Sequence, residues 1–162
     1  MINCTFENNT QGFLRHAVVD AIVVHNGKIL LIKRVSGIVE GGKWALPGGF
    51  INRNENAEET TLRELKEETG YEGKIKNLFC IITFPNRCTT EDRQNILFCY
   101  EVEVAHLSGK PDSEVTELGW FDYSEIDLKK LAFDHGKILE KYYQTLNDQT
   151  RLPIIINKDS DY

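Results

Sequence analysis

Between Gly48 and Tyr71 the chain reads GGFINRNENAEETTLRELKEETGY, which sets six glutamates (55, 58, 59, 64, 67 and 68) against two arginines and one lysine. Glu64, Glu67 and Glu68 stand at i, i+3 and i+4, so a helix would carry all three carboxylates on one face. Like charges at that spacing repel by roughly a few tenths of a kcal/mol per pair. A hard divalent cation among them would turn the repulsion into attraction. Oxygen donors at this density suit Mg2+ or Mn2+ rather than zinc, which prefers His and Cys, and such an ion points toward phosphate chemistry. A solvated charged face is the other use of this pattern. The glycines weigh against it, because Pro47-Gly48-Gly49 lets backbone approach closely just before the helix, where a main-chain carbonyl could join the carboxylates. Arg63 is four residues from both Glu59 and Glu67, placed to pair with either and fix a carboxylate's orientation.

A frame must hold these groups. Leu62, Leu65 and Thr69 mark a second helical face suited to packing on a sheet. His16 to Val24 predicts a strand, HNG at 25–27 a hairpin turn, and Lys28 to Lys33 its partner. A Gly-rich loop follows at 35–43, then a short strand, Trp44-Ala45-Leu46, ending at Pro47. Gly48 and Gly49 follow, then a loop to Asn54 or Asn56, either of which can cap the helix. The helix is expected to run to about Thr69 and stop at Gly70 in the left-handed conformation. Lys74 to Phe84 and Asn95 to Val104 predict longer strands joined by a polar connection at 85–94. A second polar loop occupies 108–117, Trp120-Phe121 a short strand, 127–130 a surface segment, and Asp134 to Leu146 a last helix. This order predicts a mixed sheet covered by helices in one α/β (α+β) domain over residues 1–162, with its core at about 15–147. Met1 to about Gln11 and Asn157 to Tyr162 read as loosely attached.

The net charge of −6 argues against non-specific binding to nucleic acid or to an anionic membrane surface. A small phosphorylated partner is still compatible with it, because a metal reverses the local sign. The four cysteines (Cys4, Cys80, Cys88 and Cys99) form no C-x-x-C pair and no zinc spacing. Cys80 and Cys99 lie in apolar runs, as free core thiols of a reducing cytoplasm would. The first apolar stretch begins near Ala17 and is broken by Asp20, so no signal peptide is expected, and nothing approaches the ~20 apolar residues of a bilayer span.

The acidic stretch resembles the Nudix box, G-x5-E-x7-R-E-U-x-E-E-x-G-U, at Gly49, Glu55, Arg63, Glu64, Leu65, Glu67, Glu68 and Gly70. Tyr71 stands where an aliphatic residue is more usual. WALPGGF at 44–50 and E-x5-W from Glu114 to Trp120 extend the likeness to roughly residues 15–145. The resemblance implies an α/β/α sandwich with a mixed sheet and Mg2+-dependent hydrolysis of a nucleoside diphosphate linked to another group, with Mn2+ able to substitute. It implies Glu64, Glu67 and Glu68 as metal ligands, joined by the Gly48 carbonyl, with Arg63 and Glu55 orienting them. Glu114 is the candidate loop carboxylate, as ligand or general base, with Glu117 next.

The substrate-binding candidates are Arg34, Gly49, Phe50 and Pro85. Lys43 and Arg93 are further candidates for phosphate contact, and Phe84 for base stacking or core. Pro85, fifteen residues beyond Gly70, and LAFDH at 131–135 are similar to segments of ADP-ribose pyrophosphatases in this family, so ADP-ribose or a related ADP-sugar is the expected substrate. His135 is then a substrate contact or simply the start of the last helix. A pyrophosphatase for oxidised or non-canonical nucleoside triphosphates is the alternative, and a non-catalytic ADP-ribose sensor the second. Many ADP-ribose hydrolases of this family are homodimers, which makes a homodimer the implied assembly, although the short N-terminal segment gives no clear exchange element.

Overall fold

The computed structural model describes residues 1–87, 94–146, 148 and 151–162; Cys88 and Arg93 lie outside them. Its strands are β1 (Ile2–Thr5), β2 (Gln11–Leu14), β3 (His16–His25), β4 (Lys28–Arg34), β5 (Trp44–Ala45), β6 (Gly48–Phe50), β7 (Tyr71–Ile82), β8 (Asn95–Leu107), β9 (Val115–Phe121) and β10 (Ile154–Ile156). The helices are α1 (Ala57–Thr69) and α2 (His135–Leu146). Eight strands form one mixed sheet in the order β10-β7-β8-β3-β4-β5, with β6 added to β3 and β9 to β4. β3 runs parallel to β8 and antiparallel to β4 and β6.

Side chains alternate across a strand, and here both faces are covered. Ala21 and Val23 of β3 pack with Leu30, Tyr100, Val102 and Leu65 of α1. Ile22 packs on the other face with Ile29, Leu31, Leu97 and the α2 residues Ile138 and Leu139. Burial on both faces explains why β3 and β4 read as near-continuous apolar runs. The sheet therefore lies between α1 and α2, as the α/β/α expectation requires.

The local helix signals hold. Asn56 caps α1: its side chain accepts from Glu59 N–H at 2.9 Å, and the Glu59 carboxylate accepts from Asn56 N–H at 2.9 Å. Gly70 ends the helix at φ 75°, donating to the Lys66 carbonyl. Gly70 also organises the loop after β8. Its carbonyl accepts from Ser108 and Gly109 N–H, and the Glu67 carbonyl accepts from Asp112 N–H at 2.9 Å.

Three sequence expectations change. Gly48-Gly49, expected as a turn after the Trp44–Leu46 strand, instead belongs to a strand, because the missing Cβ of Gly48 lets β6 lie against β3. The first residues form an exposed antiparallel hairpin, β1 with β2, apart from the main sheet. Residues 154–162 are docked, since β10 adds to β7 in parallel register and Tyr162 packs on the core. β9 begins at Val115, inside the expected 108–117 loop, held by its pairing with β4. Cys80 and Cys99 are buried and unbridged, and no helix among the described residues is long and apolar enough to cross a membrane.

A Cβ on Gly70 would meet the Gly109 carbonyl carbon at 2.5 Å, in a backbone conformation that L side chains rarely adopt. Gly70→Ala is therefore expected to lower stability by about 1–3 kcal/mol, read as a shift in the denaturant midpoint. An unshifted midpoint would remove this glycine's role in joining helix to loop.

Candidate active site

The acidic face of α1 borders a cavity of about 420 Å3 between α1, β3, β6 and the start of α2. Arg63 organises it. Its Nε donates to Glu55 Oε1 at 2.6 Å, its Nη2 to Glu55 Oε2 at 3.0 Å and to the Phe50 carbonyl at 3.2 Å. Its Nη1 reaches Glu64 Oε1 at 2.8 Å and Glu67 Oε2 at 2.9 Å. One planar fork thus serves three carboxylates and the backbone of β6. Hydrogen bonds from Arg63 pull the Glu55 carboxyl down to about 2, and those to Glu55, ahead of Glu64 and Glu67, push the guanidinium further up despite partial burial.

Glu68 behaves differently. It is 4% exposed, and Gly48 N–H donates to its Oε2 at 2.8 Å. Burial raises its pKa well above the carboxylate range, the charges of Glu64 and Asp112 add to the rise, and the Gly48 N–H and Arg34 oppose it. Burial also raises Glu64, against the pull of Arg63. Close approach at β6 makes these contacts available. A Cβ on Gly48 would fall 2.2 Å from the Val19 carbonyl oxygen, and one on Gly49 would fall 2.3 Å from Glu64 Oε1.

The donor set fits a divalent cation. Glu64, Glu67 and Glu68 all line the cavity, and two of them are carboxylates whose ionisation burial disfavours. Among the described residues no group of three His, Cys, Asp or Glu side chains is arranged to hold a metal ion. Arg63 accounts for this, because it holds Glu64 and Glu67 to itself. Gly48 makes its contact through N–H to Glu68, while the neighbouring Pro47 carbonyl accepts from Ala21 N–H.

Of the remaining sequence candidates, Arg34, Gly49, Phe50 and Glu114 line the cavity. Arg34 Nε donates to the Val39 carbonyl at 3.1 Å, and its guanidinium lies 5.1 Å from the Phe133 ring centre. Glu114 is exposed, its N–H donating to Asp112 Oδ1 at 2.9 Å. Pro85 is not brought to the cavity; it is exposed in the turn after β7. Lys43 pairs with Glu40 and Glu117 with Lys33, both outside the lining. Phe84 packs on the core.

The structure adds residues that the sequence did not single out. Asp20, in the middle of β3, and Arg87 both line the cavity with His135 and Phe133. Arg87 is joined to Asp134 through two hydrogen bonds, Nε to Oδ2 at 2.8 Å and Nη2 to Oδ1 at 2.5 Å. Burial alone would discharge both groups, but their pairing outweighs it: Arg87 is shifted up and Asp134 down. His135 does begin α2, and its Nδ1 accepts from Leu46 N–H at 2.9 Å. A charged residue within the doubly buried run HAVVDAIVV was the available signal for Asp20; Arg87 had none beyond its place in a polar connection.

Known proteins resemble this chain in sequence and in fold. The NUDIX domain matches the chain over residues 14–142. An ADP-ribose pyrophosphatase of Methanocaldococcus jannaschii is 40% identical over 136 residues, covering 83% of this chain and 78% of that protein. Several other relatives are matched over less than half of their own length. A NUDIX hydrolase from Nitrosomonas europaea superposes with a TM-score of 0.77 at 25% identity, over 93% of this chain and 84% of that one. The NUDIX domain of Shewanella oneidensis NrtR complexed with ADP ribose gives 0.70 at 28% identity, over 84% and 91%.

Two measurements test the site. Gly48→Ala pushes a methyl group into backbone and is expected to cost about 1–3 kcal/mol of stability. Gly49→Ala meets only the mobile end of Glu64, so its stability cost should be smaller while Glu64 is displaced; paired denaturation curves with the reverse ranking would refute this assignment of close contacts. The second concerns pH. Because the folded-state pKa of Glu68 is raised, its neutral form stabilises the metal-free protein at low pH, and that contribution is lost as pH rises through the raised value. A cation needs the ionised form, so affinity for Mn2+ should climb from pH 5 to pH 8 with release of protons. Calorimetry giving a flat profile would count against Glu68 as a ligand.

Proposed function

This chain belongs to the NUDIX family of pyrophosphohydrolases, and from that premise we propose that it cleaves the diphosphate bridge of ADP-ribose. Water is consumed at one phosphorus, one P–O bond of the bridge breaks, and AMP and ribose 5-phosphate leave. The observation that carries the reading is Glu68, a carboxylate 4% exposed at the edge of a cavity, beside two further glutamates and with its ionisation disfavoured by burial. A buried carboxylate in company of this kind is suited to a cation. The extent of the likeness to the archaeal ADP-ribose pyrophosphatase supports the choice of substrate.

Glu64, Glu67 and Glu68 would hold Mg2+, or Mn2+ in its place, which when bound neutralises phosphate oxygens and lowers the pKa of water. The protein's own contribution is orientation. Arg63 fixes Glu55, Glu64 and Glu67 against one another, and Gly48 N–H fixes Glu68. Arg34 brings a guanidinium to the cavity, suited to a phosphate oxygen. Glu114 is the carboxylate we assign to accept the proton of the attacking water. It lines the cavity on the loop that the end of α1 tethers, and its exposure leaves it able to exchange that proton with solvent. Phe50 and Phe133 offer ring faces to a base or ribose. Free thiols at Cys80 and Cys99 fit a cytoplasmic setting.

Incubation with ADP-ribose and with a panel of deoxynucleoside triphosphates in Mg2+, followed by mass spectrometry, should give AMP and ribose 5-phosphate from the former. Pyrophosphate released from a triphosphate, with ADP-ribose intact, would overturn the substrate, and tight ADP-ribose binding without turnover would make the protein a sensor. Glu68→Gln should lower kcat by at least about two orders of magnitude in a protein that still folds. Near-normal turnover by that variant would end the metal assignment.

A further inference from the structure

On the α2 side of the cavity Asp20, Arg87 and His135 form a polar set separate from the glutamates. His135 Nδ1 accepts from the Leu46 amide, so the proton of the neutral ring lies on Nε2, 3.4 Å from Asp20 Oδ2. Arg87 Nη2 is 3.6 Å from the same oxygen. Asp20 Oδ2 is buried and has no hydrogen-bond partner among the described residues. His135 and Arg87 thus flank this buried carboxylate oxygen without a hydrogen bond to it, and all three side chains line the cavity.

The aim of Arg87 is set from behind. Its side chain is 6% exposed, and two of its nitrogens are committed to Asp134, itself buried. Asp134 Oδ2, which takes Arg87 Nε, also accepts the hydroxyl of Tyr162. Tyr162 is held there in turn. Its ring packs on the core with Lys137 Nζ 5.2 Å from the ring centre, and the segment leading to it is fixed by β10 against β7 and by the turn at Asp159–Asp161. The contact joins residues distant in sequence and has no part in the cation chemistry.

We infer that Tyr162 is a positioning residue for substrate recognition: through Asp134 it holds Arg87 at the cavity wall, where Arg87, Asp20 and His135 contact the part of the nucleotide beyond its diphosphate. The inference rests on the reading of the cavity as the nucleotide site. Such a contact is made alike in the ground and transition states, so its loss raises KM and leaves kcat.

Tyr162→Phe keeps the ring and its packing and removes only the hydroxyl. With ADP-ribose and Mg2+, KM should rise about five- to thirty-fold, kcat should stay within about two-fold, and the Mg2+ dependence should not change. Should the wild-type protein leave ADP-ribose intact, the proposed substrate fails, and the same comparison is made with the triphosphate that it hydrolyses fastest. A second readout needs no substrate: the Arg87 Nε–H resonance in 1H–15N spectra, assigned by its loss in Arg87→Lys, should shift or broaden in Tyr162→Phe. Asp134→Asn, which weakens both links of the relay, should raise KM in the same direction. An unchanged KM in folded Tyr162→Phe, whether or not its melting temperature falls, reduces the hydroxyl to a structural contact and overturns the inference, as does an unmoved Arg87 resonance.

Discussion

The guanidinium of Arg63 makes the acidic end of this sheet tolerable. Glu55, Glu64 and Glu67 converge there from a loop and a helix, and without a shared counter-charge their mutual repulsion would favour splaying apart. Arg63 binds all three and adds a bond to the Phe50 carbonyl, tying the helix to β6. Glu68 lies outside that arrangement. It takes its hydrogen bond from a backbone amide, is the most buried of the four, and carries the strongest disfavour toward ionisation. The balance divides the labour: Glu55, Glu64 and Glu67 share the Arg63 guanidinium, whereas Glu68 has no such partner and is held neutral by burial unless a counter-charge is added.

That division depends on two glycines. β6 can pair with β3 while touching α1 because neither Gly48 nor Gly49 carries a side chain. The same short strand therefore delivers an amide to Glu68 on one side and registers against Asp20 on the other. The glutamate cluster and the polar set of Asp20, Arg87 and His135 share this strand as a common wall. The end of α1 acts similarly, since Glu67 gives its side chain to Arg63 and its carbonyl to the loop bearing Glu114.

What could be read from the sequence follows the range of the interactions. Asn56, Gly70 and the spacing from Glu64 to Glu68 are local signals, decided within a few residues, and the helix boundaries came out as they implied. The strands β3, β4, β7 and β8 were legible because their apolar runs are long. β1, β2 and β10 are three or four residues each and exist only through pairing, which no single segment announces. β6 was misread for a related reason: two glycines signal a turn until a neighbour needs to come close. At the site, the box residues were found by spacing, whereas Arg87, Asp134 and Tyr162 meet across the fold and leave no periodic trace. Pro85 was weighed by its distance from Gly70 alone, and the structure places it outside the cavity lining.

The parallel pairing of β3 with β8 bears on how the chain can be made. His16 lies beside Asn95, so one edge of the central strand stays bare until everything between them has left the ribosome. The other edge is covered sooner, by the hairpin partner β4 at Val24 and His25 and then by β6 at Val18 to Asp20. Cavity-lining groups extend from Val18 to His135. A ligand that spans the whole cavity can therefore stabilise only a chain already translated past the start of α2.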